Sequence, residues 1–352
     1  MTELKKIVQG GLKVLAGKVL KRNIPFEINI HITDKCNMHC TYCYSNFYKR
    51  KTPEIPKERI FAIVDAFQEL GAVEVSLIGG EPLIHSQFDA IVDYIKSRGL
   101  FCSAVTNGWY LPRHMDTARK LDMVCVSLDG PREINDITRG EGSHQKAVAA
   151  LELLQQAGIN RQLRCTLQKH NLHAVEQVLE IGERYGANVN FGLLFPQSSD
   201  AGDSKIVSGD TPQDTAYKDA LRRIIAMKRA NPARFFNSMR NFENALNWPT
   251  SYQKFFLNRA ELRQYPHFRA VPCYGGRTFA TIDTDGRLYP CTNLIGFYDA
   301  PNVLEMDIKE AWHRIKDHDC SACFYLSSVE KNLISDLDPG AILNFFRVKR
   351  LR

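Results

Sequence analysis

The chain has 352 residues, 44% of them apolar and 24% charged, with a formal net charge of +7. That is enough to bury a large core, and no biased tract points to disorder or a fibrous class. No run of roughly eighteen apolar residues is present, which excludes a spanning helix, and the positive charge is too diffuse to mark a nucleic-acid surface.

Residues 1–25 come first in the chain. Leu4, Ile7, Val8, Leu12, Leu15, Val19 and Leu20 follow a helical period, and Lys5, Lys6, Lys13, Lys18, Lys21 and Arg22 make the stretch basic. Such a helix either caps the end of a barrel or lies on an anionic membrane surface. The segment lacks the uninterrupted apolar core and small-residue cleavage site of a secretory signal. The ten cysteines are therefore read in a reducing cytoplasm, where clustered thiols mean metal or catalysis.

Strand-like runs follow at 27–32, 73–78, 101–106, 123–128, 161–167 and 188–195. Helical patterns lie between them near 57–70, 86–98, 112–120, 143–157 and 173–185. Short apolar strands alternating with amphipathic helices predict right-handed βαβ units and a buried parallel sheet, with ligands at the carboxyl ends of the strands. After Pro196 comes a polar loop (197–214), then helices over 215–263 with a break near Asn231-Pro232. "RTFATI" and "RLYPC" around "DTDG" predict a hairpin, with Asp283 and Asp285 as turn-formers.

Cys36-x3-Cys40-x2-Cys43 directly follows the first strand-like run. Structural zinc normally takes four closed ligands from paired C-x2-C elements, which the triplet alone does not supply. A [4Fe–4S] cubane takes one thiolate per iron, so three thiolates leave one iron open to an outside chelator. His39 lies within the loop and would compete with that geometry. With Tyr42 at the aromatic position of C-x3-C-x-aromatic-C, the loop resembles that of the radical S-adenosylmethionine (SAM) superfamily. The resemblance implies that SAM chelates the open iron through its amino and carboxylate groups. Reductive cleavage would then give methionine and a 5′-deoxyadenosyl radical that abstracts hydrogen from a substrate.

Gly79, Gly80 and Glu81 stand in "LIGGEPL", after the second run. Glycines let a backbone approach a ligand, and a carboxylate can accept from an ammonium group, although a plain strand-to-helix turn ending at Pro82 fits too. The segment is similar to the family's GGE motif, which implies contact with the methionyl amino group. Asn107 in "TNG" and Ser127 and Asp129 in "SLDG" end the next two strands, where the resemblance implies a SAM-lining role, with Ser127 and Asp129 toward the ribose hydroxyls. An Asn-Gly turn needs no ligand. Arg139 resembles an arginine set near the cofactor carboxylate or the substrate, a task suited to a planar guanidinium; a surface arginine fits the sequence equally. "RCTLQ" and "FGLLF" end the fifth and sixth strands without marking a single residue. Cys102, Cys125 and Cys165 lie within strand runs and read as small buried apolar residues.

Cys273 and Cys291 bracket the hairpin, and Cys320-x2-Cys323 follows. Four thiolates including a C-x2-C pair suit structural zinc. The spacing also resembles the opening of the SPASM/twitch module, which implies an auxiliary [4Fe–4S] cluster, and the lack of cysteines beyond Cys323 resembles the shorter, twitch-like form.

The expected fold is thus α/β: a partial (β/α)6 barrel with a small C-terminal hairpin-plus-helix iron–sulfur module. The expected divisions are an N-terminal helix (1–25), the radical SAM barrel (26–197), a helical bridge (198–269) and the auxiliary-cluster module (270–352). The resemblance implies a SAM-cleaving enzyme that takes its electron from an acidic donor such as flavodoxin or ferredoxin. The short stretch before the first strand points to a small-molecule substrate: a sugar, nucleoside or cofactor precursor. A membrane lipid or lipid-linked substrate, a ribosomal peptide presented by a partner in trans, and a non-catalytic zinc scaffold are the alternatives. No catalytic acid or base is marked.

Overall fold

The computed structural model describes residues 23–194 and 214–349. All but residues 23–25 of the helix expected over 1–25, and all but residue 214 of the loop 197–214, lie outside these residues.

Strand β1 (Glu27–Thr33) leads to helix α1 (Lys57–Leu70), β2 (Glu74–Gly79), α2 (Phe88–Ser97) and β3 (Phe101–Thr106). After the short α3 (Met115–Ala118) come β4 (Met123–Ser127), α4 (Arg132–Arg139) and α5 (Ser143–Gln156). Then β5 (Arg161–Leu167), α6 (Val175–Arg184) and β6 (Asn188–Leu193) complete the six expected strands. Beyond them lie α7 (Asp214–Ala230), α8 (Met239–Leu246), β7 (Phe256–Leu257) and α9 (Arg259–Leu262). The hairpin β8 (Phe279–Ile282) and β9 (Leu288–Tyr289) is followed by α10 (Ile308–Arg314), β10 (Ala322–Cys323), α11 (Leu326–Ser335) and α12 (Pro339–Lys349). The helix expected over 112–120 is instead a 3-10 turn, Leu111–Arg113, and the four-residue α3. Pro112 lies at the start of that turn, where its missing N–H does no harm, but it cannot serve the interior of a longer helix.

The described residues pack as two compact units. One takes the chain up to Met38, Ser45–Cys125 and Tyr274–His318; the other takes His39–Tyr44, Val126–Cys273 and the chain from Asp319.

In the first unit the strand order is β3-β2-β1-β8-β9. β1 runs parallel to both neighbours, so Ile30 lies opposite Leu77 on β2 and Ile282 on β8. Ile28, Ile30 and Ile32 are all buried, as expected of a central parallel strand. On α1, Ile60, Ile63, Val64 and Phe67 recur at helical spacing and form its buried face. Phe67 meets Trp312 of α10 edge-on, with ring centroids 5.9 Å apart.

In the second unit β5 and β6 are parallel, with Cys165 opposite Phe191. Leu163, Cys165 and Leu167 on β5 are fully buried, whereas Arg164 and Thr166 between them are half-buried, the period-two alternation of a strand. Phe191, Phe235 and Phe242 pack together behind the strands. β7 pairs antiparallel with β10, Leu257 opposite Ala322. Phe324, just after β10, packs against Trp248 and Tyr252. Each such buried aromatic or aliphatic side chain stabilises the unit by about 1.5–3 kcal/mol. Cys102, Cys125 and Cys165 are buried strand residues, as their surroundings in the sequence imply.

Candidate active site

The cysteine loop follows β1, and its residues divide between the units: Cys36 with the first, Cys40 and Cys43 with the second. In the first unit its opening is clamped by the end of β2. Gly80 N donates to Thr33 O and Glu81 N to Lys35 O, both at 2.9 Å. A side chain at Gly80 would stand 2.7 Å from Asp34 O and closer still to Lys35 O, and Gly79 has φ +141° with Thr33 O in the same position. The two glycines therefore admit the end of β1 and the opening of the cysteine loop. Asn107, at the end of β3, donates from Nδ2 to Asn37 Oδ1 at 2.8 Å and gives the loop a second support.

Glu81 is buried, and its carboxylate accepts from Thr106 Oγ1 (2.9 Å), Asn107 N (2.7 Å) and Leu83 N (3.2 Å). Burial pushes its carboxyl up to about 7 against the pull of those donors. Thus Glu81 braces the ends of β2 and β3 against each other.

In the second unit Asp129 organises the loop's later half. Its Oδ2 accepts from the Tyr42 hydroxyl at 2.5 Å and from Arg139 Nε at 2.6 Å, while Oδ1 accepts from Thr166 N at 2.9 Å. Arg139 also stacks over the Tyr42 ring, its guanidinium carbon 5.4 Å from the centroid. Thr41 N donates to Thr138 O at 2.9 Å on the same helix as Arg139. Arg139 is therefore buried and ion-paired. Burial pushes the Cys40 thiol up to about 11, with the Arg139 charge acting in the opposite direction. Ser127 is half-buried at the end of β4.

Of the second cysteine set, Cys273, Cys320 and Cys323 belong to the second unit and Cys291 to the first. Cys273 N donates to the carbonyl of Ser321, inside the C-x2-C pair, at 3.2 Å. Asn244 Nδ2 donates to Cys323 O at 3.0 Å. The Cys291 sulfur accepts from Asn293 N at 3.3 Å.

All ten cysteines are thiols rather than disulfides. Among the described residues, no three His, Cys, Asp or Glu side chains are gathered closely enough to hold a metal ion. The fit to an iron–sulfur cluster therefore rests on the donor set and on how the loop is held. Three thiols are offered by a loop whose backbone is clamped at Thr33–Lys35 in one unit and at Thr41–Tyr42 in the other. At the loop's far end, the buried Ser45 Oγ and Asn46 Nδ2 have no hydrogen-bond partner among the described residues.

Asp283 is more than a turn-former. It is buried, pairs with His31 Nδ1 on β1 at 2.9 Å and with Arg50 at 3.0 Å, and takes Gly286 N of its own turn through its carbonyl. Its hydrogen bond with His31 and the nearby His31 and Arg50 charges outweigh burial and hold its carboxyl down at about 2. Its place in "DTDG" reads as a turn, and nothing in that stretch marks a pairing with His31 of the first strand, "EINIHI".

A family model described as the radical SAM superfamily matches residues 30–181. The Fe-coproporphyrin III synthase of Methanosarcina barkeri is 30% identical over 298 residues, covering 82% of this chain and 73% of its own. The AdoMet-dependent heme synthase of Nitratidesulfovibrio vulgaris is 25% identical over 80% of this chain and 77% of its own. Mycofactocin maturase MftC of Mycolicibacterium smegmatis is 30% identical over 50% of this chain, and the match spans 46% of that protein. Among solved structures, Streptococcus suis SuiB bound to S-adenosylmethionine superposes with a TM-score of 0.64 at 14% identity, covering 87% of this chain and 69% of that one. That likeness shows the partial-barrel fold.

Proposed function

The chain belongs to the radical SAM superfamily, and from that premise we propose that it transforms a small-molecule cofactor precursor of the porphyrin class. One observation carries the substrate reading: relatives named for making heme or Fe-coproporphyrin III align over most of this chain and most of their own. The maturases named for mycofactocin align over about half of each, and a ribosomal peptide is kept as the second reading.

The enzyme's cofactors are a [4Fe–4S] cluster and S-adenosylmethionine, which together supply hydrogen abstraction from an unactivated C–H bond when bound. Cys36, Cys40 and Cys43 would hold the cluster. Gly79, Gly80 and Asn107 position the loop's opening, and Asp129 fixes Tyr42 and Arg139 at its close. Glu81 sets the strand ends at which the cofactor's amino group would be received, and Ser127 would lie on the ribose side. Cys273, Cys291, Cys320 and Cys323 are the proposed ligands of an auxiliary [4Fe–4S] cluster, supported by the backbone bond from Cys273 to Ser321. The roles divide at the boundaries drawn from the motifs, barrel 26–197 and module 270–352. The net charge of +7 favours an acidic electron donor. A membrane-surface contact would fall to residues 1–25, mostly outside the described chain, and no helix among the described residues is long and apolar enough to cross a membrane.

The test is anaerobic turnover of the reconstituted protein with S-adenosylmethionine, a reductant and iron coproporphyrin III. 5′-Deoxyadenosine formed in step with a mass change of the porphyrin is expected. Deoxyadenosine formed at the same rate with and without porphyrin, and no mass change, overturns the substrate reading.

A further inference from the structure

Arg164 stands on the half-buried face of β5, opposite Asn190 of β6. Its Nη1 donates to Asn190 Oδ1 at 2.7 Å and to Ser327 Oγ at 2.6 Å, with Phe191 O more distant at 3.4 Å. Its Nη2 donates to the Tyr325 hydroxyl at 3.1 Å, and the guanidinium carbon lies 5.8 Å from the centroid of that ring. Every one of these partners is neutral. Among the described residues no carboxylate lies within ion-pair reach of Arg164, and its Nε–H has no acceptor.

The comparison with Arg139 shows what this leaves open. Arg139 uses Nε and Nη2, the side-on edge of the fork, to hold both oxygens of Asp129. In Arg164 that edge carries only the Tyr325 contact. A half-buried guanidinium without a counter-charge is unfavourable unless an anion joins it.

Two further features lie on or next to these strands. Gly192, opposite Thr166 on β6, leaves the space that the guanidinium occupies; a side chain there would collide with Nη2. Gln168, just after β5, is 3% exposed, and among the described residues its Nε2 donor has no partner. Strand β5 and the residue after it thus offer two hydrogen-bond donors without acceptors, one of them charged.

We propose that Arg164 receives an oxyanion of the substrate, a carboxylate or a phosphate, on the open edge of its guanidinium. Tyr325 and Ser327 follow Cys323 by two and four residues, so the segment leaving the C-x2-C pair helps to fix the anion's seat. This deepens the reading above, on which it depends only for the identity of the molecule that carries the oxyanion.

The test is isothermal titration of the reconstituted protein with citrate and, separately, with inorganic phosphate. Wild type should bind at least one of them, and Arg164→Gln should weaken that binding about tenfold or more. The ligand preferred identifies carboxylate or phosphoryl recognition. Arg164→Lys, which keeps the charge but not the fork, should fall between the two and guards against a folding defect. S-adenosylmethionine affinity should be unchanged in both variants. Equal anion binding by wild type and Arg164→Gln, no binding of either anion by wild type, or a tenfold loss of S-adenosylmethionine affinity overturns the proposal. Anion binding without porphyrin turnover leaves this site standing and removes the porphyrin reading instead.

Discussion

Tyr42 donates its hydroxyl to Asp129 Oδ2 at 2.5 Å, so the aromatic residue of the cysteine motif is anchored at its polar end by the residue that also holds Arg139. The two substitutions that break this relationship should differ in severity. Tyr42→Phe keeps the ring under Arg139 and leaves the ion pair whole, at about 1.5–3 kcal/mol for a hydrogen bond to a charged group. Asp129→Asn strands a buried guanidinium, at about 3–5 kcal/mol. Urea unfolding of the two variants checks the order; equal losses would show that the ion pair adds nothing beyond the hydroxyl.

Gly80→Ala should displace the cysteine loop, because the obstacle to its new methyl group is backbone at Asp34 and Lys35. We expect about 1–3 kcal/mol of destabilisation from overpacking and a clear fall in iron bound after anaerobic reconstitution. Wild-type iron content with wild-type thermal unfolding would contradict the clamp.

Glu330 should make the fold less stable as pH rises. It is buried on α11, accepts from Ser238 N, Ser238 Oγ and Asn241 Nδ2, and burial pushes its carboxyl from 4.5 up to about 7. The folded state therefore keeps a proton that the unfolded chain has lost. Stability declines as pH climbs from about 4.5 and levels off above about 7, by about 3 kcal/mol for this group. Glu330→Gln should flatten the decline measured by urea unfolding at about pH 5 and pH 7.5, and Glu81 leaves a like decline in place. An unchanged pH slope in the variant would be the contrary result.

Asp283 acts in the opposite sense. Its carboxyl is held at about 2, so its contribution is complete above the ordinary aspartate value of 3.8 and is lost as pH falls toward 2. Asp283→Asn should cost about 2–3 kcal/mol at neutral pH. A chemical denaturation series at pH 7 decides it.

Removing thiols should divide the iron into two pools. Wild type should carry about eight irons, and Cys320→Ala about four, with S-adenosylmethionine cleavage still detectable. Cys36→Ala should abolish 5′-deoxyadenosine formation while keeping the other pool. Stoichiometric zinc with no iron–sulfur absorbance in wild type would return the chain to the scaffold alternative.

What the sequence discloses follows the range of the interactions. Helix α1 is bounded as its apolar spacing implies, and β3 and β5 coincide with their apolar runs, because these patterns are local. Asp129 and Arg139 lie ten residues apart and both carry family motifs, so their nearness could be anticipated; their ion pair could not. The partnership of His31 with Asp283 joins residues 252 apart, and that of Arg164 with Tyr325 joins residues 161 apart. No periodicity records such meetings. The glycines of "GGE" were legible as points of close approach, but their partner proves to be the end of β1 and the opening of the cysteine loop.

β1 lies between β2 and β8, and β8 begins only at Phe279. During synthesis one edge of β1 therefore stays unpaired while some 250 further residues are made, its N–H and C=O groups open to any strand that meets them. A nascent chain stalled before the hairpin presents a sticky template, and the arrival of β8 is the event that seals it.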